Sequence, residues 1–315
     1  MSNNLKSLRK LLKTTLFLND DLINTFIATA PYRYKIYEIP KRNSDETRTI
    51  AHPSKELKSI QRLIVNELTS LLPIHDCAYA YRKGRSIKEN ALTHSKNSYL
   101  LKVDLSNFFN SLTPEIFFSE CQRNDILFEK DDTSIIANCL FYRENRKSDL
   151  KLSVGAPSSP FISNAIMYTF DTMIQSECMK KEICFTRYAD DMTFSTNIKG
   201  VLIGFDKIVK EILKDTFKDN ISINESKTIY SSKAHNRHIT GITISNNNNI
   251  SLGRDRKRTI SSAIHHFLNE DINLEESIKL KGLLAFAEYI EPDFILKMER
   301  KYGSETLKKI KKLQS

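Results

Sequence analysis

Two adjacent carboxylates, Asp190 and Asp191, interrupt a half-apolar run in the stretch RYADDMTFS, Arg187 to Ser195. The chain has 18 Asp among 315 residues, and composition alone predicts about one Asp-Asp pair. Three occur: Asp20-Asp21, Asp131-Asp132 and Asp190-Asp191. The first two lie in polar, helix-start or loop-like surroundings, where solvated carboxylates need no further account. The third is flanked by ICFTRY and MTFST, whose alternation and β-branched or aromatic residues read as strands. A hairpin with Ala-Asp-Asp-Met at its tip would hold both carboxylates on one rigid edge, whereas in mid-strand they would face opposite ways. Crowded carboxylates repel unless a cation lies between them. A metal site and a solvated hairpin tip both satisfy this stretch taken alone.

A further carboxylate stands on a second strand. In NSYLLKVDL, Leu101, Val103 and Leu105 alternate with Lys102 and Asp104, so Asp104 takes the opposite face from the apolar residues. One carboxylate at a strand end and two at a neighbouring hairpin tip suit nucleotide transfer, an in-line displacement at phosphorus. In that reaction two Mg²⁺ ions about 4 Å apart activate the attacking hydroxyl and stabilise the leaving pyrophosphate. Mg²⁺ takes hard oxygen ligands, only a few of them from protein.

Several elements must position these groups. A helix is expected to start at Ser54, burying Leu57, Ile60, Ile64, Leu68 and Leu71 before Pro73. Another is expected in SSPFISNAIMYTFDTMI, with Ser159 as N-cap, Pro160 at the first helical position and a stripe of Ile162, Ile166, Phe170, Met173 and Ile174. SNNNN at 245–249 reads as the turn of a hairpin between HITGITI and ISLG. The last third is helical, carrying Ile260, Ile264, Phe267 and Leu268, then Leu280, Leu283, Leu284 and Ala287, then a basic stretch from Ser304. A short basic amphipathic helix is expected at the N-terminus, with Leu5, Leu8, Leu11 and Leu12 on one side. The fold class is α+β with helical flanks.

Composition narrows the partners. The net charge is +10, and residues 1–100 alone hold 17 Lys and Arg against 9 Asp and Glu. Such a field suits a polyanion such as nucleic acid or an anionic membrane; a basic surface kept for solubility is the alternative. No apolar run approaches the ~18 residues of a membrane span, and Lys and Arg interrupt the N-terminus where a signal peptide needs continuity. Cys77, Cys121, Cys139, Cys178 and Cys184 show no C-x-x-C spacing and read as reduced thiols of a cytoplasmic protein. The histidines of HNRH at 235–238 and His265-His266 lack zinc-type spacing and read as loop or RNA-facing residues.

The ordered motifs add a family resemblance. RTIAHPSKELKSIQ at 48–61 resembles the fingers segment of reverse transcriptases, and KVDLSNFFNSL at 102–112 their first metal-binding strand. GAPSSP at 155–160 resembles the loop and helix start that meet template and incoming nucleotide. YADD at 188–191 is similar to the catalytic hairpin, and INESKT at 223–228 to the lysine-bearing strand that follows. Among these enzymes the chain is most similar to the bacterial retron type, through NALTH at 90–94 and ITG at 239–241. Two positions depart from the pattern: Ile239 replaces the usual Val, and Val154 stands where many relatives carry Gln. No nuclease, integrase or RNase H-like segment is visible, as expected of that type.

The resemblance implies a right-hand polymerase with fingers at 1–98, a palm at 99–244 and a helical thumb at 245–315. It implies two Mg²⁺ ions held by Asp104, Asp190, Asp191 and the Leu105 carbonyl. Phe109 would act as a steric gate against the 2′-hydroxyl, Arg48 would hold the triphosphate, Gly155 would allow close approach, and Lys227 would meet the leaving pyrophosphate. Asn90, His94, Thr240 and Gly241 would touch RNA. Arg254, Arg256, Lys257 and Arg258 gather at a helix start, where cations oppose the helix dipole unless an anion binds; a solvated basic turn is the other reading. The implied substrates are deoxynucleotides and a cognate structured non-coding RNA. Priming from an RNA 2′-hydroxyl would give branched RNA-linked single-stranded DNA, with a role in anti-phage defence beside a separate effector protein. Alternatives are a group II intron or diversity-generating reverse transcriptase, or a non-catalytic RNA-binding scaffold.

Overall fold

The computed structural model describes residues 7–17, 19–40 and 47–313. These form two compact units, drawn from residues 1–84, 101–194 and 200–229, and from residues 85–100, 195–199 and 230–315.

The first unit opens with helices Leu8–Leu16 and Asp20–Thr29, which pack on helix Lys130–Leu140. Leu8 and Leu12 supply the buried face of the first; Leu5 lies outside the described residues. The Asp131-Asp132 pair, expected to be solvated, holds this contact together. Arg9 forks onto Asp131 at 2.6 and 2.7 Å, and the buried Asp132 carboxylate accepts the Leu8 N–H at 2.9 Å. That acceptor satisfies one orphan donor of the helix start.

Strands β1 (Tyr34–Pro40) and β2 (Thr47–Pro53) pair antiparallel, Ile39 opposite Arg48 and Tyr34 opposite Pro53. Ser54 then accepts the Leu57 N–H and starts helix Lys55–Thr69, which buries Leu57, Ile60, Ile64 and Leu68 as the periodicity predicts. The helix stops at Thr69, so Leu72 rather than Leu71 is buried after it. Strands β3 (Tyr99–Leu105), β4 (Cys184–Tyr188), β5 (Asp191–Thr196) and β6 (Ile223–Ser232) form one sheet in the order β4-β5-β3-β6. Phe185 and Phe194 stack on one face at 4.9 Å, and Phe205 of helix Phe205–Phe217 meets Phe194 edge-on at 5.1 Å.

The segment SSPFISNAIMYTFDTMI folds as two helices, Ser159–Ile166 and Tyr168–Lys180. The break has a cause that periodicity does not carry: the buried Glu120 carboxylate accepts both the N–H and the hydroxyl of Thr169, at 2.8 and 2.7 Å, capping the second helix. The first helix begins one residue earlier than expected, with Ser158 as its N-cap. Met173 turns outward, leaving Phe170, Ile174 and Cys178 buried.

In the second unit, strands β7 (Arg237–Ile239), β8 (Ile242–Ile244) and β9 (Ile250–Ser251) form a small antiparallel sheet, with Ile244 opposite Ile250 across the SNNNN turn. Its isoleucines share a core with Ile260, Ile264, Leu280 and Leu284 of the following helices. Leu268, expected on that stripe, is exposed at the helix end. Arg237 of the HNRH stretch is wholly buried, donating to the carbonyls of Asn97 and Ser245.

Helix Ile87–Ser95 belongs to this unit, and NALTH lies along it. His94 is fully buried with Nδ1 2.6 Å from the Ser195 hydroxyl, which also accepts from Asn97 at 2.7 Å. Burial pushes the imidazole down to about 3. Its folded value therefore lies below the unfolded one, so the unfolded chain takes up the proton first and stability drains as pH falls below ~6.5. Between pH 7 and pH 5 the wild type is expected to lose about 2 kcal/mol more than His94→Gln, read from urea titrations. Equal losses would show that the imidazole is not held neutral.

Candidate active site

The hairpin β4–β5 turns through Ala189 and Asp190, with Ala189 in the left-handed region at φ +57°. Asp190 occupies the turn and Asp191 is the first residue of β5. The expectation of both carboxylates at a tip is thus met within one residue. The Leu105 N–H donates to the Asp190 carbonyl at 3.1 Å, which brings the end of β3, and with it Asp104, beside the turn. Asp104 is 9 % exposed and accepts from Lys227 Nζ of β6 at 2.9 Å.

The three carboxylates influence one another. Asp190 is pushed up to about 6, first by burial, then by Asp191 and Asp104. Asp191 is raised by burial and Asp104, against the lowering pull of Lys102 and Lys227. Lys227 is held above its ordinary value, chiefly by its hydrogen bond to Asp104. Among the described residues no group of three or more His, Cys, Asp or Glu side chains forms a metal cage on its own. The donor set is nevertheless of the hard-oxygen type, and its repulsion is what a divalent cation sharing phosphate oxygens would relieve.

Phe109 is half-buried on the short helix Phe108–Ser111 that follows β3. It lines a cavity of about 350 Å³ with Tyr81, Val154, Gly155 and Ala156. Gly155 sits at φ +124°, and a Cβ there would come within 3.2 Å of the Ala51 carbonyl oxygen. Its loop docks on β2 through the Ala51 N–H to the Val154 carbonyl at 3.0 Å. Arg48 is exposed on β2; burial raises the Tyr81 hydroxyl above its ordinary value, Asp190 and Tyr188 add to the rise, and Arg48 opposes it. Tyr81 was not singled out by sequence reasoning. Its ring lies 6.4 Å from that of Phe109, and its φ of +61° is rare for a bulky residue. The only sequence signal was its place between AYA and the turn-forming RKG.

The residues expected to meet RNA fall into three groups. Asn90 and His94 are 1 % and 0 % exposed, so their side chains serve the interior of the second unit rather than an external strand. Thr240 and Gly241 form the two-residue β7–β8 turn, at φ +47° and +79°. For a β-branched residue that backbone is an outlier, and the Thr240 hydroxyl is buried without a hydrogen-bond partner. The basic run divides. Arg256 donates to the Gly241 carbonyl at 3.0 Å and lies over the Phe286 ring. Lys257 pairs with Glu291 at 2.6 Å. Arg254, Lys257 and Arg258 line a cavity of about 910 Å³ with Lys301, Phe294 and Tyr302. Lys301 was not anticipated, lying 43 residues beyond Arg258.

Comparison with known proteins follows the same lines. Residues 39–244 match the family described as reverse transcriptase (RNA-dependent DNA polymerase). The chain is 47 % identical over 281 residues to the Retron Ec83 reverse transcriptase of Escherichia coli, covering 89 % of this chain and 90 % of that protein. It is 35 % identical over 298 residues to the Retron Ec73 reverse transcriptase of Escherichia coli, covering 89 % and 90 %. Against the Retron Ec86 reverse transcriptase of the same organism it is 29 % identical over 319 residues, covering 98 % and 93 %.

The crowding of Asp190 has a measurable consequence. In buffer containing a chelator, Asp190→Asn is expected to unfold no more easily than the wild type, with a gain on the order of 1 kcal/mol. A clear loss in thermal melts would make the carboxylate a structural acceptor instead.

Proposed function

The chain belongs to the retron reverse transcriptases, RNA-directed DNA polymerases, and from that premise we propose that Asp104, Asp190 and Asp191 form its catalytic centre and that its template is its own structured non-coding RNA. One observation carries the catalytic assignment: the Leu105–Asp190 backbone bond draws carboxylates from β3 and from the hairpin turn into one electrostatically coupled group. A surface that only bound RNA would gain nothing from clustered negative charge beside phosphates.

Asp104, Asp190 and Asp191, with the Leu105 carbonyl, would hold two Mg²⁺ ions. When bound, these ions would supply the charge that favours the attacking hydroxylate and offsets that on the leaving pyrophosphate. The chain's own groups do the rest. Lys227, now on Asp104, is positioned to share its charge with pyrophosphate oxygens. Arg48 offers bidentate donors to the triphosphate. Gly155 lets its loop, which lines the nucleotide cavity, approach the backbone of β2 closely, and Phe109 closes the space a 2′-hydroxyl would need.

For RNA, the strained Thr240–Gly241 turn and the cavity bearing Arg254, Lys257, Arg258 and Lys301 are the surfaces we assign, with Arg256 bracing the turn from behind. The similarity to retron enzymes supports priming from an internal RNA 2′-hydroxyl, a branched RNA-linked DNA product, and a role in anti-phage defence with a separate effector. Five free cysteines support a reducing, cytoplasmic setting. No described helix is long and apolar enough to cross a membrane.

The test is the nucleic acid that co-purifies with the protein expressed from its native locus, run on a denaturing gel before and after RNase. A discrete short DNA that shifts on RNase treatment is expected, and Asp190→Asn/Asp191→Asn should abolish it while RNA stays bound. Unchanged DNA yield in that variant would overturn the catalytic assignment, and RNA without DNA in the wild type would point to a scaffold. A second expectation concerns the gate. Phe109→Ala should lower the preference for deoxy- over ribonucleotides by about 10- to 100-fold, measured by single-nucleotide incorporation. Unaltered preference would return Phe109 to a packing role.

A further inference from the structure

Beneath the carboxylate turn lies a guanidinium with no route to solvent. Arg187 is 0 % exposed, as is its partner Asp171, and the two meet in a fork at 2.7 and 2.8 Å. Its remaining nitrogen, Nη1, donates to Asn164 Oδ1 and to the Ala189 carbonyl, each at 3.1 Å. Asn164, itself 1 % exposed, donates in turn to the Ala80 carbonyl at 2.9 Å. The backbone of Arg187 is also engaged: its N–H donates to the Cys77 carbonyl and its carbonyl accepts from Tyr79, both at 2.8 Å.

Two residues touched by this network have the left-handed backbone that L side chains seldom adopt. Ala189, at φ +57°, directly precedes Asp190; Tyr81, at φ +61°, directly follows Ala80. Such conformations persist only where the surroundings over-determine them. Here the same buried cluster fixes the carbonyl of Ala189 on one side and that of Ala80 on the other. Stability alone is a weak reason for the pair, because apolar residues of similar volume often replace a buried ion pair without loss.

We propose that Arg187, Asp171 and Asn164 are positioning residues: a single buried clamp that sets the carboxylate turn and the Tyr81 wall of the nucleotide cavity at a fixed spacing. The Arg187–Asp171 arm holds Asp190 in register with Asp104. The Asn164 arm holds Tyr81 opposite Phe109, where it bounds the space for the incoming nucleotide. The inference rests on the polymerase reading above.

The two arms fail in different ways. Asn164→Asp, ionised beside Arg187, keeps the acceptor for Arg187 but turns a carboxylate oxygen on the Ala80 carbonyl in place of the donor, so it should loosen the Tyr81 side first. Its KM for deoxynucleotide is expected to rise about 10-fold with kcat within about 2-fold, the pattern of lost binding without lost transition-state contact. Nucleotide affinity measured by equilibrium titration should weaken in parallel. Arg187→Met/Asp171→Leu removes the charges while keeping volume. It should melt within a few degrees of the wild type yet lose about 100-fold in kcat, the scale of a ~1 Å misplacement. Arg187→Lys, which cannot fork, should fall between them.

Wild-type kcat, KM and nucleotide affinity in both Asn164→Asp and the double variant would overturn the clamp. If the double variant fails to fold, the decision rests on Asn164→Asp and its affinity. A wild type without polymerase activity would sink the underlying reading instead, so the two failures are distinct.

Discussion

Three like charges held at one edge of a sheet are the constraint around which the first unit is organised. Asp104 is buried and Asp190 and Asp191 are half-buried, and burial and neighbouring carboxylates oppose the ionisation of Asp190 and Asp191. A chain left free would part them. The sheet prevents this through the Leu105–Asp190 backbone bond, and Lys102 and Lys227 on flanking strands offset part of the charge. The strain is of the kind found where structure is spent on chemistry rather than on stability.

Other buried polar groups follow a consistent logic. Asp132 and Glu120 each accept N–H groups at a helix start, Asp171 takes the Arg187 fork, and Arg237 gathers backbone carbonyls in the second unit. Each charge meets specific partners, as burial of charge requires, although the Arg237 Nε is left without one. Such groups restrict the packings open to a chain whose apolar stripes alone would allow several. They explain why one long apolar pattern is cut into two helices at Met167, and why an Asp pair that composition dismisses becomes an anchor for the N-terminal helix.

The second unit separates groups that line its cavity from those that support its interior. Within one basic run, Arg254 and Arg258 face a cavity while Arg256 reaches back to the turn at Gly241. In NALTH, Asn90 and His94 point inward. The NALTH pattern is therefore carried by residues that shape the unit, while in the strained β7–β8 turn Gly241 is exposed and the Thr240 hydroxyl is buried.

Much of the site was legible in sequence because its information is local. Alternation placed Asp104 opposite Leu101, Val103 and Leu105, turn chemistry placed Asp190 and Asp191 at a hairpin, and the order of motifs gave the family. Helix starts such as Ser54 followed from capping, which depends on only a few neighbouring residues. What sequence could not supply was any contact made across long stretches of chain: Arg9 on Asp131, Glu120 on Thr169, Lys227 on Asp104, Lys301 beside Arg258. Arg187 was visible as a letter in RYADD, but its burial and its hold on Asn164 and Asp171 arise only when two helices and a strand meet. Local backbone preference and side-chain period are written residue by residue; which buried charge meets which partner is decided by packing, because only the folded interior removes the water that would otherwise satisfy them both.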